Sequence, residues 1–271
     1  MRMWRWAAQE HHESVGSTNV EALADPRVGR VVVADHQTSG LGRLGRSWES
    51  PPRTGLAVSV VVPALPAAAM GWLPLAAGLA LARALEESRW TVTAGLKWPN
   101  DVLVPLRADA AGQAPVLEAD GMRWGKIAGT LAQVSERGTV VVGTGVNVDH
   151  TPDQLPVPTA TSWRLARGGA PVPDGAREGL LQGYLDHLAR AHDQLAGGDL
   201  PAVRAAYLDR SLTVGRPVTV LRPDGFRTTG TAVDLDPAGA LVLDGPGGRS
   251  THHAGDVEHA RTDLTDPDNL A

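Results

Sequence analysis

The sequence predicts an α+β fold in two parts. A large domain over residues 1–212 would hold a mixed or antiparallel sheet flanked by helices, and a small antiparallel β-barrel would occupy residues 213–271. Up to residue 212, valine-rich runs of strand length alternate with longer runs of helical spacing. After Val214 the chain changes to short Val, Leu and Thr runs separated by turns rich in Pro, Asp and Gly, as is typical of a compact barrel.

The elements of the large domain follow from its apolar patterns. Ser17-Thr18-Asn19 is a polar N-cap sequence that opens a short helix. Residues 36–52 carry glycines, arginines and paired prolines and are predicted to form a loop, whereas residues 105–123 indicate an exposed hairpin or a loose insertion. Strands are predicted over residues 31–34, 56–62, 91–98, 101–104, 126–134 and 139–148, and helices over 71–88, 176–196 and 201–212, the last capped by Asp199.

The bulk composition restricts the kind of protein this can be. Its 271 residues suffice for one large and one small domain, with 42% hydrophobic and 20% charged residues. The formal net charge of −5 gives no general affinity for nucleic acids or anionic membranes, so any phosphate binding must be local. Because the chain has no cysteine, disulfides, thiolate metal sites and a thiol nucleophile are excluded.

The sequence predicts neither a signal peptide nor a membrane span. The N-terminus reaches Gln9, Glu10 and two histidines too early for a signal peptide. The longest helical apolar run, residues 71–82, ends at Arg83, short of the roughly 18 residues that a membrane span requires. We therefore expect a soluble, cytoplasmic protein that does not bind membranes.

A segment rich in glycine and arginine, GLGRLGRSW, runs from Gly40 to Trp48. Its glycines let backbone N–H groups approach an anion closely, and Arg43 and Arg46 can add charge-assisted hydrogen bonds to phosphate or carboxylate oxygens. The spacing matches neither a P-loop nor a dinucleotide-binding fingerprint. An ordinary surface loop therefore remains the alternative to an anion-binding lid.

Lys97 lies where a predicted strand ends, in the sequence KWPND that closes with Asp101. A rigid strand end can aim the ammonium group into a cleft, where it would neutralise a carboxylate and the phosphorus centre that the carboxylate attacks. The alternative is a lysine that points into water, the commoner position for this residue type. Together with the loop, Lys97 indicates nucleotide-dependent activation of an acid.

Two glycine-rich segments are further candidate ligand contacts, GKIAG at 125–129 and GTGVNV at 143–148. Glycines within a strand indicate that a ligand or another backbone lies close, and Asn147 could orient a phosphate or read a purine edge. A β-bulge with an asparagine turn is the alternative. The histidine pairs at 11–12 and 252–253 lack carboxylate or cysteine companions at ligand spacing, so no protein metal site is predicted.

Taken in order, these segments resemble the biotin–protein ligases. The likeness runs from about residue 14 to 262, and the ordered set is specific although each motif alone is weak. The resemblance implies a class II synthetase-like biotin/lipoate ligase fold with an SH3-like C-terminal barrel. The matching segments are Ser17-Thr18-Asn19, ADHQTSGLGRLGRSW at 34–48, KWPNDV at 97–102, GKIAGTL at 125–131, GTGVNV at 143–148 and ATSW at 160–163.

The resemblance implies a reaction in two steps. The biotin carboxylate attacks the α-phosphorus of ATP, with Mg²⁺ bound to the phosphates, and gives biotinyl-5′-AMP and pyrophosphate. A specific lysine of a biotin carboxyl carrier domain then attacks the mixed anhydride and releases AMP. The expected partner is therefore the carrier domain of a biotin-dependent carboxylase.

The resemblance also assigns roles to individual residues. Lys97 and Arg43 would be catalytic, with Lys97 bridging the biotin carboxylate and the α-phosphate. The biotin contacts would be Ser17, Thr18, Asn19, Gln37, Gly40, Leu41, Gly42, Arg43, Lys97 and Gly129. The ATP contacts would be Arg43, Arg46, Trp48, Asn100, Lys126, Gly143 and Asn147, with Trp48 packed on the adenine.

Three features depart from the pattern of some or all relatives. Leu41 stands where relatives usually have a second loop arginine, which removes one cation near the ligand. Gln133 stands where an acidic residue is common, and the sequence assigns it no role. Only 16 residues precede Ser17, too few for the winged helix-turn-helix with which some relatives repress transcription. With the acidic net charge, this predicts no DNA binding.

Two other functions stay open at this level. A lipoate– or octanoate–protein ligase shares the catalytic fold, but the chain lacks the Gly-Gly-Gly run before Val and His that we expect of it. A ligand-sensing protein without turnover is the other alternative, with Leu41 impairing the loop. An edge strand could pair two subunits in a homodimer, although no segment of the sequence identifies it.

Overall fold

The computed structural model describes residues 4–108 and 113–259, which form an eight-stranded sheet followed by a five-stranded sheet. The middle of the predicted 105–123 insertion and residues 260–271 of the predicted barrel domain lie outside these ranges. The strands of the large sheet are β1 Gln9–His12, β2 Val31–Ala34, β3 Gly55–Val62, β4 Gly95–Lys97, β5 Asp101–Pro105, β6 Leu117–Ala119, β7 Met122–Val134 and β8 Val140–Asn147. The helices are α1 Thr18–Ala24, α2 Trp72–Glu87, α3 Trp163–Ala166, α4 Ala176–Ala196 and α5 Leu200–Leu208.

The large sheet is mixed, as the sequence predicts. Its strand order is β1-β2-β3-β8-β7-β5-β4, and β6 pairs with β7 outside this path. The β1–β2 pair is parallel, whereas the other pairings are antiparallel. The central strands β2, β3 and β8 are buried on both faces, which explains their nearly continuous valine runs.

The two faces of the large sheet are covered differently. Alternate residues of a strand point to opposite faces. On one face, Val58 and Val60 of β3 join the main apolar core with residues of α2 and α4. On the other face, Ala22 of α1 packs on Val32 and Val61 in a smaller cluster. Among the helices in the described ranges, none has the length and hydropathy to cross a membrane.

The second sheet is a small antiparallel unit, as the changed sequence texture predicts. Its order is β12-β11-β10-β9-β13, and Val218, Val220, Leu241 and Leu243 are buried inside it. Its strands are β9 Pro217–Leu221, β10 Arg227–Leu235, β11 Leu241–Gly245, β12 Gly248–His252 and β13 Asp256–His259.

The turn at 236–239 of the small unit docks on the large one beside the KWPND sequence. Trp98 Nε1 donates to the Gly239 carbonyl at 3.0 Å, and Trp72 Nε1 at the start of α2 donates to the Pro237 carbonyl at 3.0 Å. A Cβ at Gly71 would lie 2.1 Å from the Ala238 carbonyl oxygen, so this glycine permits the close approach. Two buried indoles therefore position the small sheet against the segment that carries Lys97.

Several elements differ from the predicted ones for local reasons. Only Gly95–Lys97 of the predicted 91–98 strand is a strand, because Thr91 and Val92 hydrogen-bond to carbonyls at the end of α2. The predicted helix over 201–212 ends at Leu208, since the chain then runs beside β4, with Leu212 N–H donating to the Leu96 carbonyl at 2.8 Å. In the described part of 105–123, strand β6 pairs with β7 as a hairpin, but Leu117 and Ala119 are buried against Leu103 and Trp124, so this part is not exposed as predicted. Strand β1 and helix α3 were not predicted.

Candidate active site

A cavity of about 720 Å³ opens beside α1, with strands β7 and β8 contributing to its lining. The start of α1, the 40–48 loop and residues 97–101 supply further parts of its wall. Of the residues that the sequence predicts to bind ligands, those lining it are Ser17, Thr18, Asn19, Gln37, Leu41, Gly42, Arg43, Arg46, Trp48, Lys97, Asn100, Lys126, Gly129, Gly143 and Asn147.

Gly40 is the predicted site residue that lies behind the cavity wall. The Trp48 N–H donates to the Gly40 carbonyl at 2.8 Å, which closes the base of the loop. A Cβ at Gly40 would lie 2.2 Å from the Trp48 carbonyl oxygen and 2.5 Å from Gln37 Nε2. Gly40 therefore permits the loop to fold back tightly over Gln37.

The α1 end of the cavity is polar and uncharged. Gln37 Oε1 accepts hydrogen bonds from the backbone N–H of Thr18 at 2.9 Å and from its hydroxyl at 3.0 Å. Ser59 Oγ lies beneath, 2.7 Å from Thr18 Oγ1. Ser17 Oγ is buried without a hydrogen-bond partner within the described part of the chain. A buried hydroxyl that lacks a partner is costly, so this end is suited to a ligand with complementary polar groups.

The glycine-rich loop contributes two arginines. Arg43 Nη1 donates to Asn100 Oδ1 at 3.3 Å, and burial lowers the pKa of this guanidinium. Arg46 is more exposed and forms an ion pair with Asp256 at 2.6 Å. Leu44, between the arginines, has a positive φ of 55° in the left-handed region, so the short turn over 43–45 is kinked at this residue.

Two lysines flank Asp101 at the centre of the cavity wall. Lys126 Nζ lies 2.7 Å from Asp101 Oδ1, and Lys97 Nζ lies 4.0 Å from Asp101 Oδ2. Lys97 is 8% exposed, and burial lowers the pKa of its ammonium group although the Asp101 carboxylate opposes this shift. Of the chain's 25 lysines and arginines, only these two are lysines. Both lysine ammonium groups of the sequence therefore lie in this one cavity.

Glycines of the sheet leave room for the indole of Trp48. A Cβ at Gly145 would lie 2.4 Å from Trp48 Cε2 and Nε1, and one at Gly129 would lie 3.4 Å from Trp48 Cζ3. Lys126 Nζ lies 5.7 Å from the centroid of the ring. The indole is therefore held between the loop and the floor of the cavity, with a cation near its face.

Sequence reasoning missed contributions from distant segments. Asp256 and Glu258 of β13 line the cavity, as do residues of the 156–160 segment. Asp256 and Glu258 carry no local signal, because only the docking of the small sheet brings β13 to the loop. The 156–160 segment was indicated only by Ala160, the first residue of the ATSW motif. Asp101 was visible in its motif, but its position between two lysines depends on the register of β4 and β5.

The arrangement suits an elongated ligand with a neutral polar head and an anionic part. Ser17, Thr18 and Gln37 would contact the head, whereas Arg43 and the two lysines offer positive charge along the wall. Within residues 4–108 and 113–259, no three His, Asp or Glu side chains are grouped so as to hold a metal ion.

Two protein-family models match the chain. Residues 13–149 match the biotin/lipoate A/B protein ligase family, and residues 213–260 match the biotin protein ligase C-terminal domain. The second match falls on the small antiparallel sheet.

Individual relatives cover nearly the whole chain. A biotin–[acetyl-CoA-carboxylase] ligase of Mycobacterium tuberculosis is 37% identical over 94% of this chain and 90% of its own length. One from Paracoccus denitrificans is 33% identical over 89% of this chain and 96% of its own length. The structure of a biotin protein ligase from Aquifex aeolicus in complex with biotin and ATP superimposes with a TM-score of 0.74 at 25% identity, covering 94% of this chain and 99% of that one. The chain therefore belongs to the biotin/lipoate A/B protein ligase family and, within it, to the biotin protein ligases.

Proposed function

We propose that this chain activates biotin with ATP as biotinyl-5′-AMP and transfers the biotinyl group to a specific lysine of a biotin carboxyl carrier domain. The relatives are ligases of this type, and the solved relative holds biotin and ATP. The observation that carries the proposal is the placement of Lys97 and Lys126 on either side of Asp101 in a cavity with a neutral polar end. That geometry suits a carboxylate that must approach a phosphate.

The polar α1 end is the proposed site for the ureido head of biotin. Ser17, Thr18, Asn19 and Gln37 line it, and the unpartnered Ser17 hydroxyl supports a ligand that supplies a hydrogen-bonding group there. The backbone of Leu41 and Gly42 and the thin wall at Gly129 would enclose the rest of the molecule, with Gly40 behind them at the base of the loop. Leu41 lines the cavity while remaining 44% exposed, so its backbone is available to the ligand although its side chain carries no charge.

The nucleotide would lie on the side of Trp48, with the adenine on the indole. Arg43 and Arg46 would contact the phosphates. Gly143, predicted as an ATP contact, lies instead against Asn19 at the α1 end, where a Cβ would be 2.0 Å from Asn19 Oδ1, and Gly145 is the glycine beside the indole. Two predicted contacts act as braces, since Asn147 Nδ2 donates to the Thr161 carbonyl at 3.0 Å and Asn100 Nδ2 donates to the Thr130 carbonyl at 2.9 Å. The side-chain oxygen of Asn100 accepts a hydrogen bond from Arg43, which supports the proposal that Asn100 positions this arginine.

The chemical step needs positive charge where two anions meet. A carboxylate oxygen of biotin forms a bond to the α-phosphorus while the bond from that phosphorus to the pyrophosphate oxygen breaks. We propose that Lys97, and with it Lys126, neutralises the carboxylate and the developing charge on the α-phosphate oxygens. Preorganised donors of this kind typically contribute about 10²–10³ in rate.

The domain roles, the acceptor and the metal ion are assigned on the basis of the same proposal. We assign catalysis to residues 1–212 and closure of the cavity to the 213–271 unit, and we place the enzyme in the cytoplasm with a carboxylase carrier domain as acceptor. Mg²⁺ would be held by the ATP phosphates and water, because the Asp101 carboxylate is already paired with Lys126. For a homodimer we propose pairing through β1, the end of the large sheet that has no further strand beside it among the described residues, since Leu96 of β4 at the other end bridges to Ser211.

The test is incubation of the purified chain with biotin, ATP and a carrier domain. We expect biotin-dependent release of pyrophosphate, and labelled biotin attached to a single lysine of the carrier. A carrier in which that lysine is replaced by arginine is the control for the second step. Lipoate turnover without biotin turnover would contradict the proposal, and biotin binding without pyrophosphate release would favour a ligand sensor.

A further inference from the structure

The side chain of Asn19 is held from three directions at the α1 end of the cavity. Its Oδ1 accepts a hydrogen bond from Ser59 Oγ at 2.6 Å, and its Nδ2 donates to Gln133 Oε1 at 2.7 Å. A Cβ at Gly143 would lie 2.0 Å from Asn19 Oδ1, so the glycine leaves the space that the carboxamide occupies. With an exposure of 4%, Asn19 has a fixed position and a fixed orientation.

Gln133 reaches Asn19 from the neighbouring strand. It is the second-last residue of β7, two positions beyond Leu131 in the row of alternate residues that also contains Gly129. Gly129 and Leu131 line the cavity, whereas Gln133 is partly buried beyond them and is not among the lining residues. Any effect of Gln133 on a ligand must therefore act through Asn19.

The hydrogen bonds of Asn19 leave it half satisfied. A carboxamide has two donor protons and an oxygen with two lone pairs. Ser59 uses one lone pair and Gln133 uses one proton, so one donor and one acceptor remain for a ligand. The single proton of the Ser59 hydroxyl is shared between Asn19 Oδ1 at 2.6 Å and Thr18 Oγ1 at 2.7 Å, so Ser59 holds the orientation of the amide only weakly. In the observed arrangement Gln133 Oε1 accepts from Asn19 Nδ2 at 2.7 Å and so directs the amide nitrogen of Asn19 toward β7.

We infer that Gln133 is a positioning residue of the biotin site, which presents the Asn19 donor and acceptor to the polar head of the ligand in one fixed orientation. The inference rests on the proposed function, since it takes biotin as the ligand of this end of the cavity. It assigns a role to a residue for which the sequence indicates none. Glutamate at this position would offer a carboxylate oxygen to the same Asn19 proton, so the role needs an acceptor rather than an amide.

The test compares Gln133→Leu and Gln133→Glu with the unchanged chain by calorimetric titration with biotin alone. Loss of one hydrogen bond predicts that biotin binds roughly three- to tenfold more weakly to Gln133→Leu. Gln133→Glu should bind biotin as tightly as the unchanged chain. The KM for ATP should stay constant in both variants. Gln182→Leu, an exposed position on α4, is the matched control and should bind biotin normally.

The outcomes separate this inference from the proposed function. If the unchanged chain does not bind biotin, both are wrong. If it binds biotin and Gln133→Leu binds equally well, the proposed function stands and the role of Gln133 is overturned. Should Gln133→Leu lower the melting temperature strongly, Gln133→Met decides, because its unbranched side chain has a similar length without the amide acceptor: weakened biotin binding by the folded variant supports the role, and normal binding contradicts it.

Discussion

Arg46 of the glycine-rich loop donates two hydrogen bonds to the carboxylate of Asp256 on β13, at 2.6 and 2.7 Å. Beside this pair, Arg43 Nη1 lies 3.5 Å from the Gly255 carbonyl oxygen. The small sheet thus holds the loop that forms one wall of the cavity. A phosphate bound at Arg46 would compete with Asp256 for the same guanidinium.

Replacement of Asp256 by asparagine should loosen the loop without unfolding the protein. Both partners of the ion pair are more than one third exposed, so its contribution to stability is at most about 1 kcal/mol, or roughly 2–4 °C in melting temperature. We expect faster backbone hydrogen exchange across residues 40–48 in Asp256→Asn, measured by mass spectrometry. Glu258→Gln is the matched control, because Glu258 lies on the same strand but pairs with Arg227. Equal exchange rates in both variants would contradict the conclusion that the ion pair with Asp256 restrains the loop.

Removal of either cavity lysine should abolish most of the adenylation rate. Lys97→Ala and Lys126→Ala should each reduce biotin-dependent pyrophosphate release at least about a hundredfold, since each removes a preorganised charge at the reacting groups. Lys97→Arg should not restore activity, because a planar guanidinium is not equivalent to a compact ammonium group at a position that is 8% exposed. Circular dichroism checks folding. Near-normal turnover in the folded alanine variants would contradict the mechanism.

Alanine at Gly145 should displace the indole of Trp48. The added Cβ would lie 2.4 Å from indole atoms, so the ring must move away from the floor of the cavity. Loss of a stacking surface for adenine predicts a rise in the KM for ATP of roughly tenfold or more, with the affinity for biotin alone unchanged. Gly179→Ala is the control, since a Cβ there meets nothing within 4 Å. An unchanged KM for ATP would mean that adenine does not use this indole.

The protein should lose stability as the pH falls from about 6.5 toward 4, partly through His150. Burial lowers the pKa of His150 to about 4, and its Nδ1 is buried without a hydrogen-bond partner among the residues that the structure describes. Between the ordinary histidine pKa and about pH 4, the imidazole is protonated in the unfolded chain but not in the folded one. The free energy of unfolding therefore decreases by about 1.4 kcal/mol for each pH unit. His259, whose pKa burial also lowers to about 4, adds to the same slope. The free energy of unfolding, measured with urea at several pH values between 7 and 5, should fall less steeply with decreasing pH in His150→Gln than in the unchanged chain. An unchanged pH dependence would contradict this assignment.

Local patterns predicted the elements whose burial follows from their own sequence. Strands β2, β3 and β8 were predicted from their continuous valine-rich runs, and the long helix α4 was also predicted from its own segment. Strand β1 was missed because Gln9–His12 alternates between exposed and half-buried polar residues without an apolar face. Residues 91–94 have strand composition, but the end of α2 offers carbonyls that Thr91 and Val92 use instead.

The cavity could be predicted from sequence only where its wall comes from short motifs. Residue type and spacing predicted the loop glycines, Lys97 and Asn147 as ligand contacts. The resemblance to a family then assigned them to one site. Asp256 reaches the site from 210 residues after Arg46, which no local pattern can reveal. The contact from Gln133 to Asn19 joins a strand to a helix and was likewise beyond sequence reasoning.

The confinement of both lysines to one cavity has a chemical consequence for an enzyme that makes an acyl adenylate. Outside that cavity these 271 residues offer no side-chain ε-amine to a mixed anhydride that escapes, so stray self-acylation of lysine is avoided along this sequence. An amine-directed reagent such as an N-hydroxysuccinimide ester becomes a selective probe of the interior. Protection of the two lysines from that reagent by biotin and ATP would report directly on how fully the substrates fill the space between them.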